Sequence, residues 1–380
     1  MLSSKLPEVG LTIFSQMSAL ANEFNAINLS QGFPNFDCDP YLKQQVGYYL
    51  NNGFNQYAQM PGVPELQQAI AELANRHYQA NVSANEQVTV TSGATEAIFV
   101  AVQAIVHEGD EVIIFDPAYD SYEPAVNLAG GKCVHLSLLP PAYGIDWQAV
   151  EQAITPRTKA IILNSPHNPT GSIIHEQDIV ALKKLVAEHD IHLISDEVYE
   201  HIIFDGQLHH SVLRYPELAE KSFVVSSFGK TFHVTGWKTG YCIAPPELTV
   251  EFRKIHQYVT FCTVTPMQKA LADMLNKKPE HVSGLGAFYQ HKRDVFSESI
   301  RGSRFKLLPC QGTYFQSLDY SEISDMPDTE FCHWLTKTHK IATIPMSVFY
   351  QTPPDSKVIR VCFAKDDETM KKAGAILCQV

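Results

Sequence analysis

Gln87-Val88-Thr89-Val90-Thr91-Ser92-Gly93-Ala94-Thr95-Glu96 sets a β-branched strand directly against the start of a helix, with a glycine at the join. Val and Thr in succession favour an extended chain, and the apolar run that continues to Val106 has helical length. Upstream, Pro64–Tyr78 carries Leu66, Ala69, Ile70, Leu73 and His77 at helical spacing. Downstream, short apolar strands are expected over 111–115 and 159–163. A helical stripe of Ile179, Leu182, Leu185 and Val186 then precedes the strand Ile191-His192-Leu193-Ile194-Ser195. Phe223-Val224-Val225-Ser226 and Tyr241-Cys242-Ile243-Ala244 complete the set. Strands this short and apolar, separated by helices, predict an α/β fold whose mostly parallel sheet is covered on both faces.

Past residue 280 the pattern changes. A polar helix over 288–299 precedes strands around Phe305-Lys306-Leu307 and over 313–318, then a helix over 330–338 and a strand over 358–363. That is a smaller α+β domain. The first 45 residues are rich in Pro, Asn and Gly and read as irregular chain that covers something else. The expected division is an N-terminal segment 1–45 packing with the small domain, a large domain 46–279, and a C-terminal domain 280–380.

Composition narrows the function classes. With 380 residues the chain is long enough for two cores. Its net charge is −12 and no dense Lys/Arg block occurs, which argues against nucleic acid and against a polybasic membrane anchor. Eight cysteines stand far apart with no C-x-x-C pair, so a zinc ribbon or other metal site has no support, and free thiols suit a reducing cytoplasm. Met1-Leu2-Ser3-Ser4-Lys5-Leu6-Pro7-Glu8 lacks an apolar signal core, and no apolar run is long enough to span a bilayer. The expected location is cytoplasmic.

Five segments carry potential chemistry, each with a plainer reading beside it. Ser92-Gly93-Ala94-Thr95 opens a helix whose free N–H groups and dipole suit a phosphate, or it is only an N-cap. Asp196 follows an apolar strand, where ligands bind in open α/β sheets, or it is a surface loop acid. Lys230, in Ser226-Ser227-Phe228-Gly229-Lys230, becomes an imine-forming nucleophile if its charge is disfavoured, and is otherwise solvated. Lys238 offers a second cation. Asn168, in Asn164-Ser165-Pro166-His167-Asn168-Pro169-Thr170-Gly171, either aims its amide at a phenolic oxygen or sits in a connecting turn, with His167 as turn filler. Arg360 lies within the apolar strand Val358-Ile359-Arg360-Val361-Cys362-Phe363, where a guanidinium needs an anion, either a substrate carboxylate or a structural partner.

Singly these signals are weak, but their order matches the parts needed to hold one molecule of pyridoxal 5'-phosphate: phosphate cup, ring-oxygen amide, Asp, then Lys, each after its own strand. The chain resembles the class I aminotransferases of pyridoxal-phosphate fold type I from about Leu6 onward. Asn168-Pro169-Thr170-Gly171, Asp196-x-x-Tyr199 and Ser227-Phe228-Gly229-Lys230 are similar to that family's most specific signatures. Within it, Ser30-Gln31-Gly32-Phe33-Pro34, Gln56-Tyr57, Asp116-Pro117-Ala118-Tyr119-Asp120-Ser121-Tyr122 and the Arg360 strand resemble the branch of methionine aminotransferases and kynurenine/glutamine transaminases.

The resemblance implies a seven-stranded, mostly parallel sheet in the large cofactor-binding domain. It implies transfer of an amino group from an L-amino acid to a 2-oxo acid, with Lys230 holding the cofactor as an imine and removing the Cα proton. Asp196 would hold the pyridinium nitrogen; Tyr199 and Asn168 would bond the ring oxygen. Gly93, Ala94, Thr95, Ser227 and Lys238 would bind phosphate, and Tyr119 would stack on the ring. Arg360, the Gly32 backbone and Asn168 would fix the substrate carboxylate. Tyr57 would reach the phosphate of the neighbouring subunit, implying a homodimer. Phe14 stands where kynurenine-using relatives often carry an indole, and the smaller ring favours a flexible side chain such as that of methionine. The rival readings are a kynurenine–oxoglutarate transaminase, a cysteine-S-conjugate β-lyase on the same fold, and a pyridoxal-phosphate-binding regulator.

Overall fold

A computed structural model describes residues 3–7 and 9–380 of the chain; Met1, Leu2 and Glu8, part of the leader region and of the expected N-terminal segment, lie outside the described residues. The strands in chain order are β1 (Ile27–Asn28), β2 (Val88–Thr91), β3 (Glu111–Asp116), β4 (Lys132–Ser137), β5 (Thr158–Asn164), β6 (His192–Asp196), β7 (Ser222–Ser227), β8 (Gly240–Ile243), β9 (Lys306–Leu307), β10 (Phe315–Asp319), β11 (Ile341–Ala342), β12 (Ile344–Pro345) and β13 (Val358–Cys362).

Seven of them form one sheet in the order β2-β8-β7-β6-β5-β3-β4. The pairs among β3 to β7 are parallel, whereas β8 runs antiparallel to both β2 and β7. Alternate residues feed opposite faces, as the pleat requires. Ile113, Ile161, Leu193 and Val224 pack on one side with the helices Pro64–Tyr78, Glu176–Glu188 and Thr265–Lys277. Val112, Ile162, Ile194 and Val225 pack on the other with the helix Ala94–Ile105. The strands are therefore apolar on both faces, which is why they read as continuous runs rather than as alternating ones.

The reversal of β8 positions the site. Because it runs backwards, its entry at Gly240 pairs with Thr91 and with Ser227, the last residues of β2 and β7. Lys238, two residues before β8, is thereby delivered to the same sheet edge as the carboxyl ends of β2, β5, β6 and β7. No local periodicity reports strand direction, so this feature is tertiary.

A second sheet, antiparallel in the order β12-β13-β10-β9, lies within its own apolar cluster, which includes Phe331, Leu335, Val361 and Phe363. The first 45 residues are less irregular than expected. Ile13–Glu23 is a helix capped by Thr12, whose hydroxyl accepts from Ser15 N–H, and it buries Met17 and Ala21. Asp39 caps a second helix, Pro40–Asn51, with proline at its first position. β1 pairs in parallel with β11, placing Leu29 and Ser30 against the second sheet's core. The helix expected over 288–299 begins earlier, at Pro279, because Lys278 ends the preceding helix and proline suits a helix start.

Candidate active site

One cavity at the carboxyl edge of the large sheet is lined by Gly93, Ala94, Thr95, Tyr119, Asn168, Asp196, Tyr199, Ser227, Lys230 and Lys238, joined by Asn164 and Thr235. Ten residues singled out from six separate stretches of sequence thus converge on one space.

Its floor is an anion cradle. The helix Ala94–Ile105 starts at Gly93, which has φ +83° and provides no side-chain cap. A larger residue would be strained by this left-handed backbone, and its Cβ would come into contact with Lys238 Cε at 3.4 Å. Lys238 itself takes the left-handed conformation that turns the chain into β8. The uncapped first-turn N–H groups, the helix dipole, Lys238 and the Ser227 hydroxyl form a donor set suited to a phosphate.

At the back, Asp196 ends β6 and is 4% exposed. Tyr122 Oη donates to its Oδ2 at 2.6 Å and Val198 N–H to its Oδ1 at 3.3 Å. Burial raises the carboxyl pKa to about 6, against the lowering effect of those bonds and of Lys230. An acid so placed gains most from a cationic partner inside the cavity. The turn that bears it is anchored by two further buried acids. Glu197 accepts from Ser195, His209 and Val212 N–H, and Glu200 from Tyr78, Ser226 and Tyr241.

Lys230 follows β7 and is partly buried, its remaining surface lining the cavity. Burial lowers its pKa to about 8, and Lys238 and Arg360 push the same way against Cys362 and Asp196. Its Nζ donates to Tyr314 Oη at 2.8 Å. An amine with this pKa is neutral often enough near pH 7 to act as nucleophile and base.

Arg360 is 1% exposed on β13. Its Nη1 donates to Asn168 Oδ1 at 2.8 Å and its Nη2 to the Ser30 carbonyl at 2.9 Å; Nε has no partner among the described residues. Its planar group lies 4.0 Å from the Phe315 ring centroid, with Phe14 and Phe349 at 5.3 and 5.4 Å. Among the described residues no carboxylate pairs with it, so no structural ion pair holds it there. Gly32 lies alongside, its carbonyl accepting from Tyr314 Oη, and a Cβ there would fall 2.6 Å from Phe315.

Tyr57 stands apart. It is 86% exposed, meets only the edge of the Phe261 ring at 5.6 Å, and does not line its own subunit's cavity. His167 is buried in its turn with Nδ1 on Thr170 Oγ1, and burial lowers its pKa to about 3. Four site residues escaped the sequence reading: Tyr122, Asn164, Thr235 and Tyr314. Tyr122 lies in a stretch already singled out, three residues after Tyr119, and that spacing was the available cue. Asn164, which bonds both the Asp196 carbonyl and Asn168 N–H, and Tyr314 carried no local signal. Among the described residues no helix is long and apolar enough to cross a membrane, and no cluster of His, Cys, Asp or Glu could hold a metal ion.

The family model described as aminotransferase class I and II matches residues 25–377. The methionine aminotransferase of Escherichia coli (strain K12) is 51% identical over 377 residues, covering 99% of this chain and 98% of that protein. A solved Escherichia coli structure, described as identifying a methionine aminotransferase function, superimposes with a TM-score of 0.98 at 50% identity over 100% of both chains. The kynurenine–oxoglutarate transaminase 3 of Homo sapiens is 33% identical, covering 96% of this chain and 87% of that protein.

Proposed function

The chain belongs to the class I and II aminotransferases, pyridoxal-phosphate enzymes that move an amino group from an amino acid to a 2-oxo acid, and from that premise we propose that its preferred amino donor is methionine. The reading is carried by one observation: Lys230, with its lowered pKa, shares a cavity with the buried Asp196 and the cation Lys238. That donor set fits the cofactor at each of its ends.

When bound, pyridoxal phosphate supplies an aldehyde that takes up the amino group and a ring that receives the electron pair released at the substrate Cα. Ala94 and Thr95 N–H, Ser227 and Lys238 would hold the phosphate, and Gly93 would let the backbone approach it. Asp196 would hold the proton on the ring nitrogen, with Tyr122 keeping the carboxylate aimed. Asn168 and Tyr199 would bond the ring oxygen, and Tyr119 would stack on the ring. Lys230 would be the amine that holds the cofactor, and its Nζ would take the Cα proton. Arg360 receives the substrate carboxylate, helped by Asn168 and the Gly32 backbone, and so aims the Cα–H bond at the lysine.

Support for a neutral, flexible donor comes from the surroundings of Arg360. Phe14, Phe315 and Phe349 make that space apolar. The wider cavity outside it carries Asp116, Asp120 and Glu123 against Lys5 and His135, which disfavours an acidic side chain. We hold the division into 1–45, 46–279 and 280–380 in the same way, supported by the separate apolar cluster of the second sheet, and the cytoplasm as its location.

Borohydride reduction followed by peptide mapping tests the anchor: the reduced adduct is expected on Lys230, and its absence there overturns the reading. Half-reactions with a panel of amino acids, followed by the loss of the imine absorbance, test the donor: methionine is expected fastest. We also propose a homodimer in which Tyr57 completes the neighbouring site, a reading supported by its exposure on its own subunit. Hybrids of Lys230→Ala and Tyr57→Phe subunits then contain one intact site and regain activity that neither parent has; failure to regain it removes Tyr57 from the partner's site.

A further inference from the structure

Two runs of hydrogen bonds, one from the lysine and one from the arginine, end on the same short segment, Ser30–Gly32. Lys230 Nζ donates to Tyr314 Oη at 2.8 Å, and Tyr314 Oη donates to the Gly32 carbonyl at 2.5 Å. Two residues earlier the Ser30 carbonyl accepts from Arg360 Nη2 at 2.9 Å, and Arg360 Nη1 reaches Asn168 at 2.8 Å. We propose that Tyr314 is a further catalytic residue: its hydroxyl is the resting partner of the free Lys230 amine and sets that amine at working distance from the carboxylate held by Arg360. The inference rests on the reading of Lys230 as the base.

A lysine side chain is long and flexible, so an amine released from a covalent bond wanders unless something receives it. Tyr314 is a rigid receiver. It is fully buried, edge-on to Tyr199 with ring centroids 5.1 Å apart, edge-on to Phe315 at 4.9 Å and tilted against Tyr289 at 5.6 Å. Burial holds the phenol far above its usual pKa, so it keeps its one proton. That proton is committed to the Gly32 carbonyl, which leaves an oxygen lone pair facing Nζ. An amine that donates one N–H to this lone pair keeps its own nitrogen lone pair free for the Cα proton. The phenol therefore orients the base without protonating it. The link to Gly32 also ties the receiver to the segment that supports Arg360, so base and carboxylate pocket keep one spacing.

The test is Tyr314→Phe in the full holoenzyme, with the ring retained and only the hydroxyl removed. The expected result is a fall in kcat for methionine of roughly tenfold or more, with KM changed by less than about threefold. The isotope effect on kcat with α-deuterated methionine should rise, because Cα–H cleavage becomes more rate-limiting. The equilibrium constant for pyridoxal phosphate binding to the apoprotein, read by absorbance, should stay within about threefold. Unchanged kcat and isotope effect overturn the proposal. So does a loss confined to cofactor affinity, which would make the hydroxyl part of the cofactor cradle. Should the variant fail to fold, 3-fluorotyrosine at position 314 keeps the ring and hydroxyl but weakens the oxygen as an acceptor. A partial fall in kcat supports the proposal there, and wild-type kcat refutes it. A wild-type enzyme without a reducible adduct on Lys230 sinks the function reading itself, whereas an adduct with indifferent Tyr314 variants sinks only this inference.

Discussion

Replacing Lys230 by methionine should stabilise the cofactor-free protein near pH 7 while abolishing transamination. The lysine's pKa falls from 10.5 to about 8 in the folded chain, mainly through burial, and a drop of that size corresponds to about 3 kcal/mol of strain on the charged form. The sign follows from proton counting. Between pH 8 and 10.5 the unfolded chain binds the proton that the folded chain has released, so stability rises with pH across that window. Below pH 8 the folded chain must carry the disfavoured ammonium. Methionine has similar length and no charge, so it relieves that cost, but it forfeits the bond to Tyr314, worth about 1 kcal/mol. Because part of Lys230 faces the open cavity, solvent softens the penalty, and a net gain of about 2 kcal/mol at pH 7 is expected. Urea unfolding of the two apoproteins at equal concentration, at pH 7 and above pH 10.5, measures it. No gain at pH 7, or an equal gain at both pH values, would refute the claim that an enclosed ammonium is being relieved.

Arg360→Ala removes the cationic partner offered to a substrate carboxylate in this apolar space and should cost about 2–4 kcal/mol in kcat/KM; steady-state kinetics showing less than a tenfold loss for every amino acid tested would place the carboxylate elsewhere. Asp196→Asn should cut turnover by about a hundredfold, the scale of a lost charge-assisted bond. Its apoprotein should gain on the wild type as pH rises from 4 to 8, because a carboxyl raised to about 6 contributes stability below its ordinary 3.8 that is lost on passing 6; a thermal melt series that shows no such gain contradicts the burial argument. Glu200→Gln leaves Tyr78, Ser226 and Tyr241 competing for a weaker acceptor and should destabilise the fold by about 1–3 kcal/mol at pH 7. Burial pushes Glu200 up, but His201 and its hydroxyl donors hold it below its usual value, so this contribution should fade only in acid; denaturation curves equal at pH 7 and pH 4 would refute it.

The alternation of elements was legible because each element writes its own period. Leu66, Ala69, Ile70 and Leu73 mark a helix face with no knowledge of what covers it, and the β-branched run Val88–Thr91 marks a strand in the same way. The order of the chemistry was legible too, since Asn168, Asp196 and Lys230 each follow a strand, and parallel strands bring their carboxyl ends to one edge. The N-terminal helices were missed because their caps, Thr12 after Pro7 and Gly10 and Asp39 between Asn35 and Pro40, stand beside residues that read equally well as turns.

What the chain's linear order determined, then, was which elements form and which loops carry polar groups, because those properties depend on neighbours a few residues away. Only the folded chain decided the rest. The reversed β8 puts Lys238 beside Gly93, Arg360 meets Asn168 across 192 positions, and Tyr314 meets Lys230 across 84. Such contacts are set by strand direction and by the packing of one sheet against another, and a hydroxyl or guanidinium 80 or more residues away leaves no mark on local periodicity.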